Sequence, residues 1–376
     1  MISALSVAAY GGYTYFKNLI PALAELDSEN QYTILVKSQH FDDFRIIREN
    51  FRFLAVPEGS GSAVRRMIWE QFSLPKMLSR LGANAIYTAN NVGILFSPVP
   101  VVIAVRNLEP FFYDRYKDGI RQRSRNWLLK WLTNQSVQRA NRVVVVSKYA
   151  REVMFKSCSV SPSKVRVIYH GRTKITPDDA ASNALREEHG MEGEFFFTNS
   201  KFVPYSNLHN LVRGYALAKR KLPHLPKLVL AGGDTSRSYK NVVLDLINSN
   251  NLKEEVIILG LIPNPVNLSL MRSTRLFLFS TLLEACPNTL IEAMSMGCLI
   301  ACSQIPPLEE IAGDCAIYFD PVDPGGISET IIRAYGLEKE NTEAYKGKAI
   351  ARSRIFDWND SAASLVSVLK EAVEYP

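Results

Sequence analysis

Glu284 and Glu292 stand eight residues apart in the segment Ser280-Thr-Leu-Leu-Glu-Ala-Cys-Pro-Asn-Thr-Leu-Ile-Glu-Ala-Met-Ser-Met-Gly297, and two acids at that spacing suit two different tasks. One carboxylate can accept a pair of hydrogen bonds from a ribose diol, while the other binds sugar hydroxyls or faces positive charge developing at an anomeric carbon. An apolar run of strand length, Arg275 to Ser280, precedes the segment, and another, Cys298 to Cys302, follows it. Neither run alternates in polarity, which predicts parallel strands buried on both faces. Between them Pro287 suits a first helical turn, Leu290 and Met294 repeat at i, i+4, and Gly297 suits a left-handed stop. The unit reads strand, loop, helix, strand. Glu284 then lies in a loop at the carboxyl end of a sheet, and Glu292 about one turn into the helix. The amides near Pro287, Asn288 and Thr289 belong to a helix N-terminus, a site that favours phosphate. In the competing structural role, Glu284 caps the helix and Glu292 merely complements its dipole.

Three further places carry chemistry. Gly11-Gly12 follows the first short strand and precedes a helix beginning near Tyr13, where glycine lets backbone approach a phosphate, although the common G-x-G-x-x-G and G-x4-G-K-[ST] fingerprints are absent. Arg106-Asn107 follows the apolar run Val101 to Val105; Arg106 stays protonated, so it is no general base, but it can hold a phosphate or carboxylate. Asp42-Asp43 and Asp178-Asp179 lie in polar segments, no D-x-D adjoins a sugar-binding loop, and no nucleophile is paired with a base. No metal and no cofactor is expected, and a diphosphate would be met by helix amides and cations.

The net charge of +7 is unevenly spread. From Asp114 to Arg151, a stretch that takes in the basic segment 115–151, ten Lys or Arg stand against two acids, near Phe111, Phe112, Tyr113, Trp127 and Trp131. Such a face suits anionic lipid headgroups or an acidic or lipid-linked acceptor, with a solvated helix face as the alternative. Nucleic acid is not expected, because no binding motif accompanies the charge. No run approaches the ~20 apolar residues of a membrane span, and no secretory leader is visible, so a cytoplasmic position, peripheral at the inner face of the membrane, is expected. The five cysteines lack C-x-x-C pairs and mostly adjoin apolar runs, which argues against zinc and disulfides.

These residues need elements to position them. With 376 residues, 47% hydrophobic and 22% charged, the chain suits two globular domains. Seven short apolar runs before Gly171, among them Ile2 to Val7, Phe51 to Val56 and Val101 to Val105, and six after it from Glu194 on, among them Lys227 to Ala231, alternate with helix-length amphipathic segments, which predicts two parallel, doubly wound sheets. The polar stretch Arg172 to Gly193 is the natural boundary, and after Asp357-Trp358 a last helix carries Ala362, Leu365, Val366 and Leu369 on one face.

From Phe277 to Pro324 the chain resembles the family 4 retaining glycosyltransferases, the "glycosyl transferases group 1" type. Their signature is E-x7-E, then E-A-M-x-x-G, then G-D-x-A-x-x-F-x-P, and here it runs Glu284 to Glu292, Glu292-Ala-Met-Ser-Met-Gly297 and Gly313-Asp-Cys-Ala-Ile-Tyr-Phe-Asp-Pro321. The resemblance implies a GT-B fold, two Rossmann-like domains facing across a cleft. It divides the chain into an acceptor-side domain (1–171), a linker (172–193), a donor-binding domain (194–356) and a terminal helix (357–376) that crosses back to the first domain. It implies metal-independent transfer of a sugar, with retention, from a nucleotide diphosphate to a hydroxyl of a glycan or lipid-linked acceptor in surface polysaccharide or lipopolysaccharide assembly. Glu284 and Arg106 are then expected at the reacting groups. Gly11, Gly12, Ser200, Lys201, Pro287, Asn288, Thr289 and Glu292 are expected around the donor, and Asn107 and His170 on the acceptor side. Two positions depart from the family pattern: Arg106 stands where a His is common, and Ser206 where a phosphate-binding Lys is usual, with Lys201 or Arg237 as spatial substitutes. The alternative implied by those departures is a weak or inactive transferase-like subunit that acts through partner binding.

Overall fold

Runs such as Val101–Val105 and Leu276–Phe279 bury every side chain. A strand without a polar face must be covered on both sides, which a parallel sheet wrapped in helices achieves. A computed structural model describes residues 1–7, 11–57, 62–112 and 120–375, with the side chains of 120 and 121 outside that description. The chain divides into two units, Met1–Gly171 with Phe356–Pro376, and Arg172–Ile355.

The first unit runs β1 (Ile2–Ser3), α1 (Gly11–Leu26), β2 (Tyr32–Lys37), α2 (Phe41–Phe44), β3 (Phe51–Val56), α3 (Ala63–Phe72), α4 (Leu74–Arg80), β4 (Ile86–Thr88), β5 (Val101–Val105), α5 (Ile120–Arg139), β6 (Arg142–Val145), α6 (Lys148–Ser157) and β7 (Val165–Val167). Its seven strands are parallel in the order β3-β2-β1-β4-β5-β6-β7. The second unit runs α7 (Asp179–Glu188), β8 (Phe195–Asn199), α8 (Leu208–Lys221), β9 (Lys227–Ala231), α9 (Arg237–Ser249), β10 (Val256–Gly260), α10 (Asn264–Ser273), β11 (Leu276–Phe279), α11 (Asn288–Ser295), β12 (Ile300–Ser303), α12 (Pro306–Ala312), β13 (Ile317–Phe319), α13 (Pro324–Tyr335) and α14 (Lys339–Ser353). Its six strands, also parallel, are ordered β10-β9-β8-β11-β12-β13.

The last helix, α15 (Trp358–Glu374), lies on α1 in the first unit, where Ala362, Leu365 and Val368 share a core with Leu19, Leu23 and Phe16. Its start fixes the identity of Gly171: a Cβ there would sit 2.3 Å from the Trp358 nitrogen. The polar stretch 172–193 differs from a free linker. Asp178 caps α7, the Asp178 amide donates to Pro265 O (3.0 Å), and the Asp179 carboxylate accepts from Ser269 Oγ (2.6 Å) and pairs with Arg272. Polar bonds to α10, which hydrophobic patterning does not register, attach this stretch to the second unit. All five cysteines are buried and free.

Candidate active site

In the second unit the strand order reverses between β8 and β11, and ligands of open α/β sheets bind beyond the carboxyl ends at such a reversal. β8 leads into Asn199, Ser200 and Lys201; β11 leads into Ser280 to Pro287. The Ser200 amide donates to Ala231 O (2.9 Å), and Gly232 approaches it so closely, at φ +134°, that a Cβ would lie 2.0 Å from Ser200 O. Glu284 is half-buried in the loop that follows β11. Burial pushes its carboxyl up to about 7, while the positive charge of Lys201 and a hydrogen bond from Thr281 oppose that rise. Lys201, expected at the donor, therefore acts electrostatically on Glu284. Arg237 is exposed at the first turn of α9 and is not among the charges acting on Glu284.

Glu292 is buried in α11, and two donors converge on its Oε1: Thr173 Oγ1 at 3.0 Å and Asn264 Nδ2 at 3.3 Å. Behind Asn264 a chain of amides reaches back to the end of β8. Asn267 Nδ2 donates to Asn264 Oδ1 (3.4 Å), and Asn199 Nδ2 donates to Asn267 Oδ1 (2.8 Å). Burial raises the Glu292 carboxyl, against the lowering effect of Thr173 and Asn264. Such a carboxylate is oriented through one oxygen and can present the other to a diol.

The helix carrying Glu292 begins one residue later than the sequence suggests. Pro287 is its N-cap (φ −77°, ψ 91°) and not a member of the first turn, so any amide donation comes from Asn288 and Thr289, proline having no N–H. Leu290 and Met294 are buried, and Gly297 stops the helix at φ +69°. Ser206, in the place of the family's usual lysine, is buried in the turn Pro204–Ser206. Next to it Asn207 adopts φ 59° and donates to Ser280 O (3.1 Å) and Pro321 O (2.7 Å), pinning the loop after β8 to the strand that delivers Glu284.

In the first unit the order reverses between β1 and β4, and there Arg106, Gly11 and His170 come together. The Arg106 guanidinium lies 3.7 Å from the centre of the Tyr15 ring and donates to Gly11 O (3.0 Å), Ala89 O (3.3 Å) and His170 Nε2 (3.4 Å). Asn91 Oδ1 accepts from the amides of Arg106 (3.1 Å) and Asn107 (3.0 Å). His170 is buried and stacks on Trp358. Asn107 is exposed and its Oδ1 accepts from the Glu109 amide (2.9 Å), a local turn contact. Gly11 opens α1, and a Cβ on it would meet nothing within 4 Å; one on Gly12 would lie 3.8 Å from Val7 Cα. The backbone itself does not require glycine at either position.

Tyr113, which precedes the basic segment, and Arg115 and Lys117 within it lie outside the described residues, as does the side chain of Arg121. Among the described residues, no three His, Cys, Asp or Glu converge as a metal-holding group, and no helix is long and apolar enough to cross a membrane.

The model "Glycosyl transferases group 1" matches residues 182–350, and the model "Glycosyltransferase Family 4" matches residues 10–172. The chain is 26% identical over 248 residues to the N-acetylgalactosamine-N,N'-diacetylbacillosaminyl-diphospho-undecaprenol 4-alpha-N-acetylgalactosaminyltransferase of Campylobacter jejuni, covering 65% of this chain and 62% of that relative, so it spans less than two thirds of that relative's length. It is 22% identical over 334 residues to the O-antigen chain mannosyltransferase RfbU of Salmonella typhimurium, with 86% of each covered. Its fold matches that of the Anabaena protein HepE, solved in complex with UDP and glucose, at a TM-score of 0.74 and 15% identity, covering 98% of both chains. The two doubly wound units are those of the GT-B fold.

Proposed function

We propose that this chain, which belongs to the family 4 glycosyltransferases of the group 1 type, moves a sugar with retention and without a metal from a nucleotide diphosphate to a hydroxyl of a glycan or lipid-linked acceptor. The observation that carries this reading is the pair of carboxylates beyond β11, one under the charge of Lys201 and the other held through Oε1 by Thr173 and Asn264. Glu292 takes the ribose diol. Glu284 contacts the donor sugar and, when ionised, stabilises positive charge at the anomeric carbon. The amides of Asn288 and Thr289, with Ser200 and Lys201, receive the diphosphate, whose own oxygen takes the acceptor proton as it leaves on the same face of the sugar. Lys201 supplies the cation that the buried Ser206 does not, which disfavours the inactive-subunit alternative.

On the acceptor side, Arg106 holds Gly11, Ala89 and His170 in one arrangement, and Asn107 follows at the rim. The names of the relatives support surface polysaccharide assembly, with one acting on a diphospho-undecaprenol-linked substrate and the other on an O-antigen chain. A lipid-linked acceptor fits a protein working at the inner face of the membrane, with the basic segment 115–151 against anionic lipid. The test is Glu284→Gln with the native donor and acceptor: transfer falls by about a hundredfold or more with the circular dichroism spectrum unchanged. The product of the unaltered protein should keep the donor's anomeric configuration by proton NMR; inversion would overturn the mechanism.

A further inference from the structure

Helix α3 has two faces of different character. Trp69 packs inward beside Leu74 and Leu78, whereas Val64, Ile68 and Phe72, one turn apart from each other, are exposed. Such an i, i+4, i+8 stripe of large apolar side chains normally points into a core. Contacts join this stripe to the basic, aromatic helix α5. Gln71 Nε2 donates to Gly93 O (2.9 Å) and the Leu95 amide donates to Gln71 Oε1 (2.9 Å), which brings the loop carrying Phe96 to the end of α3. Phe96, 77% exposed, lies 5.8 Å from the guanidinium of Arg139, the last residue of α5. On α5, Trp127 and Trp131 are both about half exposed (57% and 49%).

Helices α3, α4 and α5 together carry nine Lys or Arg and a single acid, Glu70. Glu70 is buried against Arg66, so its charge does not reach the surface. An extended apolar surface marks an interaction site, and its charge selects the partner. A second copy of the chain, meeting this surface by a twofold axis, would set cations against cations. A bilayer of anionic lipid has the complementary sign, and its interface favours exposed tryptophan and shallow insertion of Phe, Ile and Val.

We infer that Val64, Ile68, Phe72, Phe96, Trp127 and Trp131 form one membrane-inserting surface, ringed by the cations of α3, α4 and α5, that seats the first unit on anionic lipid. This rests on the reading above that the acceptor is lipid-linked, and it moves the apolar part of the contact from the basic segment alone to α3 and the Phe96 loop. The experiment is co-sedimentation of the full chain with vesicles of phosphatidylcholine alone or mixed with phosphatidylglycerol. It is repeated with the pairs Ile68→Ser/Phe72→Ser and Trp127→Ser/Trp131→Ser. Expected is binding to the mixed vesicles only, weakened by added salt and by roughly tenfold in each pair. Stabilisation by a nucleoside diphosphate should be unchanged in both pairs, which serves as the control for folding. Equal binding of the first pair and the unaltered chain would overturn the role of α3, as would no binding of the unaltered chain to either vesicle. Concentration-dependent dimers that the first pair abolishes would assign the surface to a second copy instead. Loss of the nucleotide effect in the unaltered chain would indict the transferase reading separately from the docking surface.

Discussion

The Thr173 hydroxyl donates to Glu292 Oε1 at 3.0 Å, and Asn264 Nδ2 donates to the same oxygen at 3.3 Å. A carboxylate held by one oxygen keeps a fixed rotamer inside a site where burial raises its carboxyl, and these two donors oppose that rise.

Thr173→Val keeps the shape of the side chain and removes the donor. A hydrogen bond to a charged group contributes about 1.5 kcal/mol, so nucleoside diphosphate affinity should fall roughly tenfold by titration calorimetry, with kcat at saturating donor little changed. Thr173→Ser should restore it. An unchanged dissociation constant in the valine variant would show that Thr173 does not position Glu292.

Arg106 donates to Gly11 O, Ala89 O and His170 Nε2, and its guanidinium carbon lies 3.7 Å from the centre of the Tyr15 ring. Lysine keeps the charge but not the planar fork. Arg106→Lys should lower stability by about 2 kcal/mol in urea unfolding and raise KM for the acceptor, while nucleotide binding by the second unit stays as it was. A variant as stable as the parent would mean that these contacts are incidental.

The pH dependence has a definite sign. Burial raises both Glu284 and Glu70 from 4.5 to about 7, so the folded chain binds more protons than the unfolded one between those values. Stability from these two groups is present below about 4.5 and is lost as pH rises through about 7. Transfer should move the other way, increasing through about 7 as Glu284 ionises. Urea midpoints between about pH 5 and 7 should slope downward, and less steeply in Glu284→Gln; an identical slope in that variant would remove Glu284 from the account.

Much of the fold was readable because buried parallel strands are continuous apolar runs. Phe51–Val56, Val101–Val105 and Lys227–Ala231 match their runs at both ends. The run from Ile2 yields a strand of only Ile2–Ser3, because pairing with β2 and β4 stops there. The glutamate pair and its helix were legible from spacing and from Gly297. Their partners were not: Thr173 and Asn264 lie 119 and 28 residues from Glu292, and no local pattern marks a hydrogen bond at that separation. The α3 stripe misleads in the opposite direction, since its period reads as a buried face and only the placement of its neighbours leaves it outside. Likewise Pro287 is compatible with both the N-cap and the first turn, and backbone angles decide between them.

The central claim is that the second unit holds a nucleotide diphosphate through Glu292 without a metal. Thermal unfolding with UDP, GDP, ADP and CMP and their common sugar conjugates, in EDTA, tests it most directly. One nucleoside diphosphate at a hundred times its dissociation constant should stabilise the chain by ~2.7 kcal/mol, and Glu292→Ala should abolish the effect. Stabilisation that appears only when a divalent metal is supplied, or that survives in Glu292→Ala, would contradict it.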